Sequence, residues 1–249
     1  MLELKGINMH YETQVLKDIN FTSNPGDINV FIGPSGSGKT SLLNILAGNI
    51  KKYAGEANLG GRPIDHRSMA IGLVAQDYGL LPWKTVQGNI HLPIRIRKMK
   101  PSDHREKIDC IMEQLRIADL KNRFPSQLSG GQKQRVALAK TFVLDLDLLL
   151  MDEPFSALDS ISREQAQQLF LDIWAASRPI TMFVTHSIDE AVFLGNRISI
   201  ISPMPGTIVK TIANPIFGTD DKRKSPIFHE TTTKIRETLA RGAASADQV

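Results

Sequence analysis

The chain carries one cysteine, Cys110, so a disulfide framework is excluded. Cys110 lies among the apolar residues Ile108, Ile111, Met112 and Leu115, which predicts a buried, inert thiol. Long hydrophobic runs are also missing. No stretch approaches the ~18 apolar residues of a membrane-spanning helix, and the opening MLELKGINMHY lacks the charged head and apolar core of a secretory signal. The expected place is therefore the cytoplasm, with any crossing of a bilayer left to another chain. A strong charge of either sign is lacking too. Thirty Lys and Arg stand against 26 Asp and Glu, a net +4, which is too mild to argue for nucleic acid as a partner. The one basic cluster, Lys222, Arg223 and Lys224, reads as a solvated surface.

What is present suits one compact unit, or two closely packed subdomains, with a sizeable core: 249 residues, 41% hydrophobic and 22% charged. Short apolar runs at Ile28 to Ile32, Ile71 to Val74, Leu148 to Met151, Ile180 to Val184 and Ile198 to Ile201 are separated by helical patterns. This predicts an α/β fold around a mostly parallel sheet. The first 25 residues and Gly55 to Asn58 read as additional antiparallel strands. From about Thr85 to Leu144 the pattern is helical, with Ser102 placed to cap a helix. Ser225 and Pro226 open a last helix with Ile235 and Leu239 on one face. The expected division is an α/β core over 1–76 and 147–241, a helical subdomain over 77–146 and a flexible tail over 242–249.

Gly33, Pro34, Ser35, Gly36, Ser37, Gly38, Lys39 and Thr40 fit the pattern G-x-x-x-x-G-K-[ST], placed between an apolar strand and a helix that runs on from Ser41. Glycines let the backbone curl so that its amides point at phosphates, and the helix N-terminus adds positive potential. Lys39 can reach β- and γ-phosphates, and Thr40 can offer its hydroxyl to Mg²⁺. Alone, this motif leaves kinase, GTPase and ATPase open. Leu148 to Met151 then leads into Asp152 and Glu153, a buried strand delivering two carboxylates to a sheet edge where α/β folds hold ligands. Asp152 is the candidate Mg²⁺ carboxylate and Glu153 the candidate base for an attacking water. The plainer alternative is a strand ending in two solvated acids.

Ser129, Gly130, Gly131 and Gln132 precede a further helix, and a Ser-Gly-Gly start is a second anion-binding nest. Two nests in one chain suggest two copies arranged head to tail, each lending its second nest to the other's nucleotide.

On these residues the chain resembles the ABC ATPase family, over nearly its whole length. Leu128 to Gln132, LSGGQ, is similar to the family signature. The resemblance implies that Gln76 is the Q-loop residue and a Mg²⁺ contact, that PFSALD from Pro154 to Asp159 is the D-loop with Asp159 near the dimer seam, that His186 is the switch histidine, and that Tyr11 stacks on adenine. A core aromatic at a strand edge is the alternative for Tyr11, a strand cap for Gln76 and a surface histidine for His186. The segments from Gln76 to Trp83, from Asp189 to Arg197 followed by Ser202 to Gly206, and from Ser225 to Phe228 look like importers of nitrate, aliphatic sulfonates and taurine. Relatives importing amino acids, polyamines or pyrimidines share much of this text. Lys140-Thr141 and Gly195-Asn196 depart from the family's usual residues. The implied partners are a second copy of the chain, integral membrane permease subunits and, indirectly, a solute-binding protein, at the cytoplasmic face of the plasma membrane. ATP and Mg²⁺ are the implied ligands. Leu80, Leu81, Pro82 and Trp83 suit either docking to a permease or packing on the helical subdomain. A non-transport ABC ATPase and a cassette that binds ATP without cleaving it are the rivals; the single cassette opposes the first, and Glu153 with His186 the second.

Overall fold

The computed structural model describes the backbone of residues 1–246 and side chains through Arg241. The end of the expected tail, residues 247–249, lies outside the described residues. In chain order the strands are β1 (Leu2–His10), β2 (Gln14–Ser23), β3 (Ile28–Ile32), β4 (Ala54–Leu59), β5 (Arg62–Pro63), β6 (Ile71–Val74), β7 (Leu148–Asp152), β8 (Ile180–Thr185), β9 (Arg197–Ile201) and β10 (Ile208–Ala213). The α-helices are α1 (Lys39–Leu46), α2 (Val86–Ile90), α3 (Leu92–Ile96), α4 (Arg105–Gln114), α5 (Gly130–Phe142), α6 (Ser160–Ser177), α7 (Ile188–Leu194) and α8 (Pro226–Ala246). The chain forms two compact units, residues 1–69 with 179 onward, and residues 70–178.

In the first unit, β1 pairs antiparallel with β2 on one side and β4 on the other, giving the order β2-β1-β4-β5. Leu2 and Leu4, then Ile7 and Met9, of β1 are buried: the alternation of a sheet with one covered face shifts by one residue at the irregularity between Leu4 and Ile7, where Gly6 takes φ 56°. β3 is buried at all five positions and runs parallel to β8 and β9, while β10 closes that edge antiparallel to β9. A strand covered on both faces reads as a continuous apolar run, which is why INVFI contains only one polar residue. That residue, Asn29, is fully buried and donates from Nδ2 to Ser23 Oγ at 2.6 Å. Phe31 meets Phe21 edge to face at 5.0 Å, a geometry that adds about 0.5–1.5 kcal/mol beyond area burial.

In the second unit, β6 runs parallel to β7 in the register Ile71 to Leu148. Thr85 caps α2, its hydroxyl accepting from Gly88 N at 3.1 Å. Phe170 of α6 packs against both Phe142 and Phe155 at 6.3 Å.

Three local expectations are corrected. Ser102 sits inside a 3-10 turn, Pro101–His104, and α4 begins at Arg105 without a side-chain cap. Cys110 is exposed. At 3.6 residues per turn it points about 200° around the helix from Ile108, away from the buried stripe of Ile108, Ile111 and Met112. Lys222 is buried, donating from Nζ to the Phe193 carbonyl at 3.0 Å beneath the rings of Phe193 and Phe217. Burial, with the Arg223 charge beside it, holds its ammonium below the ordinary lysine range.

Candidate functional site

Within the first unit, the loop from Gly33 to Gly38 joins β3 to α1. Gly36 and Gly38 take φ of 80° and 84°, the left-handed region that glycine enters without steric cost. At Gly38 a side chain would also strike Leu16 Cδ2 at 2.6 Å. Lys39 is only 6% exposed. Its Nζ donates to the carbonyls of Gly33 at 2.9 Å and Pro34 at 2.6 Å and to Ser37 Oγ at 3.0 Å, so the loop closes around a fixed positive charge. Pro34, Ser35, Gly36 and Thr40 are exposed, and Ser37 is buried. Ser41 is half-buried in the first turn of α1.

The hairpin loop between β9 and β10 supports this cradle. A Cβ at Gly206 would lie 2.1 Å from the Ser37 carbonyl oxygen. Gly206 N donates to Val15 O at 2.8 Å, Lys17 N donates to Gly206 O at 3.0 Å, and Ser202 Oγ accepts from Thr207 N at 2.9 Å. The sequence reading took Ser202 to Gly206 only as a family likeness and missed this packing role.

His186 follows β8 at an exposed position. Around it, Thr185 Oγ1 donates to the buried Glu190 carboxylate at 2.5 Å and accepts from Ser187 N at 3.0 Å, while Ser187 caps α7. This brace was also missed. His186 lines a cavity of about 240 Å³ together with Gly33, Pro34 and the apolar side chains of Ile32, Ile201 and Val209. The structure thus brings the histidine beside the cradle. Tyr11 stands in the turn between β1 and β2 with 67% of its surface exposed, so it is no core aromatic.

In the second unit, Asp152 ends β7 and both it and Glu153 are half-buried. Glu153 takes φ 45°, an unfavourable region for a side chain of its size. Its carbonyl accepts from Ser156 N at 3.2 Å and Ser156 Oγ at 2.9 Å, which fixes the turn. Arg163 then donates to the carbonyls of Phe155 at 3.2 Å and Leu158 at 2.8 Å. Asp159 is exposed and caps α6, accepting from Ser162 N at 3.0 Å. The Ser162 hydroxyl, and after it the Ser162 backbone N–H, hold its carboxyl below the ordinary value of 3.8.

Gln76 is exposed, two residues past β6. Asn89 clamps the following loop, accepting from Leu81 N at 2.7 Å and donating to Leu81 O at 3.1 Å. Leu80 and Leu81 are half-buried, whereas Pro82 is exposed and Trp83 presents 71% of its surface to solvent. Ser129 caps α5: its Oγ accepts from Gln132 N at 3.3 Å, and its own N donates to Gln132 Oε1 at 3.0 Å. Gly130 is exposed and Gly131 half-buried at the head of that helix.

Among the described residues, no group of three or more His, Cys, Asp or Glu can hold a metal ion. Mg²⁺ does not need one, since it prefers a few hard oxygen donors together with phosphates and waters. The hydroxyl of Thr40 and the carboxylate of Asp152 are donors of that kind.

Residues 16–156 match the ABC transporter family. The chain is 42% identical over 215 residues to a taurine import ATP-binding protein of Pseudomonas putida, covering 85% of this chain and 82% of that one. It is 38% identical over 225 residues to an aliphatic sulfonates import ATP-binding protein of Bacillus licheniformis, covering 90% and 87%. Among solved structures, a dimeric bacterial ABC transporter cassette superposes with a TM-score of 0.75 at 29% identity, over 86% of this chain and 98% of that one. The cbiO1 protein of Clostridium perfringens, part of the cbiONQ transporter complex, superposes with a TM-score of 0.77 at 25% identity, over 96% of each. With the family match spanning more than half of its residues and such relatives along most of its length, the chain belongs to the ABC transporter family.

Proposed function

We propose that the chain is the ATP-hydrolysing subunit of an importer for a small anionic solute of the taurine, sulfonate or nitrate type, working as a head-to-tail pair beneath integral membrane permease subunits. The observation that carries this reading is the bare start of α5. A Cβ at Gly130 would meet nothing nearer than 3.7 Å, and at Gly131 nothing nearer than 4.0 Å, and neither residue has positive φ. Among the described residues, the chain's own packing therefore has no use for their missing side chains. A close approach from outside the chain supplies the reason. Bare amides at the N-terminus of a 13-residue helix are suited to a phosphate.

In the proposed cycle, the cradle from Gly33 to Thr40 of one copy holds the phosphates of ATP, with Lys39 as the fixed charge. Tyr11 stacks on the adenine. Ser129, Gly130, Gly131 and Gln132 of the twin cover the γ-phosphate, and Asp159 lies near the seam between the copies. Thr40, Asp152 and Gln76 hold Mg²⁺. When bound, Mg²⁺ neutralises charge on the phosphate oxygens. Glu153 takes a proton from the attacking water at its carboxylate, and His186 donates toward the γ-phosphate. Closing the pair keeps bulk water from the reacting atoms. After hydrolysis the shared phosphate contact is gone and the copies part. Leu80 to Trp83, with Trp83 as aromatic anchor, form the permease contact. A solute-binding protein delivers the cargo, and the chain sits at the cytoplasmic face of the plasma membrane. The names of the relatives support taurine and sulfonates as the solute class. Uptake of taurine, alkanesulfonates and nitrate by a strain lacking this chain tests that choice.

Gly131→Ala tests the shared site. The variant is expected to keep or raise its thermal midpoint, because alanine favours the helix, while ATP turnover falls about 100-fold or more. Turnover at the wild-type rate would show that no phosphate approaches α5.

A further inference from the structure

Two polar side chains of the second unit are enclosed without hydrogen-bond partners, and both adjoin one face of α5. Gln134 is fully buried, and neither Nε2 nor Oε1 of its amide is paired. The Tyr78 hydroxyl is likewise buried and unpaired. It lies 4.0 Å from the position a Cβ would take at Gly130. Gly130 and Gln134 are four residues apart on the helix, a spacing that sets Cβ positions about 5–6 Å from one another on the same face. A hydrogen bond between the two requires a rotation of the Gln134 side chain and a shift of the loop that carries Tyr78.

Orphans of this kind are rare, because almost all buried polar atoms are paired. Tyr78 carries a second cost, a φ of 68°. Its neighbour Gly79 is already tied to the same helix: Lys140 Nζ donates to the Gly79 carbonyl at 2.5 Å, ten residues along α5 from Gly130. The segment that follows Gln76 is thus anchored to α5 at its far end, whereas at the end carrying Ser129 it rests on an unmade contact.

We infer that Tyr78 and Gln134 form a latch, a hydrogen bond between phenol and amide that closes when the Gln76 segment shifts and that then fixes the helix presenting Ser129. The open form leaves the phenol and both amide atoms unsatisfied beside a left-handed backbone; the closed form pairs the phenol with one of the two amide atoms. A two-state element needs a cost of this kind on one side to be driven to the other. Both are positioning residues, acting through the segment after Gln76 and through α5 rather than on the nucleotide. The expected effect on catalysis rests on the ATPase reading above.

Steady-state ATP hydrolysis by the full chain is compared for Tyr78→Phe, Gln134→Leu and the double variant, together with thermal midpoints. Each single variant is expected to lower kcat about tenfold and to leave KM for ATP within twofold. The double variant should be no slower than the slower single, because both remove one bond. Thermal midpoints should hold or rise, since an unpaired polar group is exchanged for an apolar one. Single variants within twofold of wild-type kcat, or losses that multiply in the double, overturn the latch. A fall in the midpoint of Gln134→Leu overturns it as well, because the amide would then already have a partner. Absence of turnover in the wild type is a different result: it removes the ATPase reading. The latch is then judged by whether ATP raises the thermal midpoint less in each single variant than in the wild type, and no less in the double than in either single.

Discussion

At Gly206 there is no room for a methyl group: its Cβ would stand 2.1 Å from the backbone oxygen of Ser37, inside the cradle. Backbone cannot swing aside as the end of a side chain can. Gly206→Ala is therefore expected to displace Ser37, whose hydroxyl receives a hydrogen bond from Lys39. Overpacking of this kind costs about 1–3 kcal/mol. Thermal melts should show the loss, and nucleotide titration should show weaker ATP binding; a variant that melts and binds like the wild type would mean that the hairpin loop yields freely. The cradle residues themselves were legible in the sequence, since Gly36, Gly38 and Lys39 stand in a local pattern tied to one chemistry. Gly206 was not, because its reason lies 169 positions away at Ser37. Glu190 and Gln134 were missed for the same cause. Their burial depends on neighbours that no local spacing announces. Cys110 is a different case, in which helical arithmetic alone already turned the thiol away from the stripe.

The five apolar runs became β3, β6, β7, β8 and β9 with ends shifted by at most one residue. A strand covered on both faces writes its extent into composition. β10 carries no such mark: Ile208–Ala213 has Lys210 and Thr211 in its middle, because only part of an antiparallel edge is covered. The start of α4 was misjudged because Pro101 favours a tight 3-10 turn before the helix proper. The junction of α2 and α3 carries a pH dependence that composition does not reveal. His91 ends one helix and begins the next, and burial lowers its pKa from 6.5, with the Arg95 charge adding and Asp109 opposing. The unfolded chain then binds this proton more readily than the folded one. The stabilising share of His91 is complete above the unfolded pKa and is lost as pH falls through the lower, folded value. Thermal midpoints of the wild type should fall more between about pH 7 and pH 5 than those of His91→Gln. Parallel curves would remove His91 as a source of acid sensitivity.

For the whole molecule, the decisive question is whether the nucleotide site is complete within one chain. One unit of the chain carries the cradle and His186, the other carries Asp152, Glu153 and the bare head of α5, and among the described residues no neighbour comes nearer than 3.7 Å to a Cβ at Gly130 or 4.0 Å to one at Gly131. If the second nest serves a twin, nucleotide and dimer must be linked by mass action: ATP stabilises the pair, and the pair strengthens ATP binding. Hydrolysis hides this link by destroying the ligand that makes it. Glu153→Gln keeps the side chain's size and removes its capacity as a base. Turnover should fall by a factor of about 100–10,000, the range of general-base assistance. In size-exclusion chromatography with ATP, the variant should run near twice the 27.6 kDa of one chain, and as a single chain without nucleotide. Unchanged hydrolysis would take Glu153 out of the base role. A particle that binds ATP tightly and still runs as one chain would end the shared-nucleotide account, and the two glycines would then need a reason inside the chain that the packing does not provide.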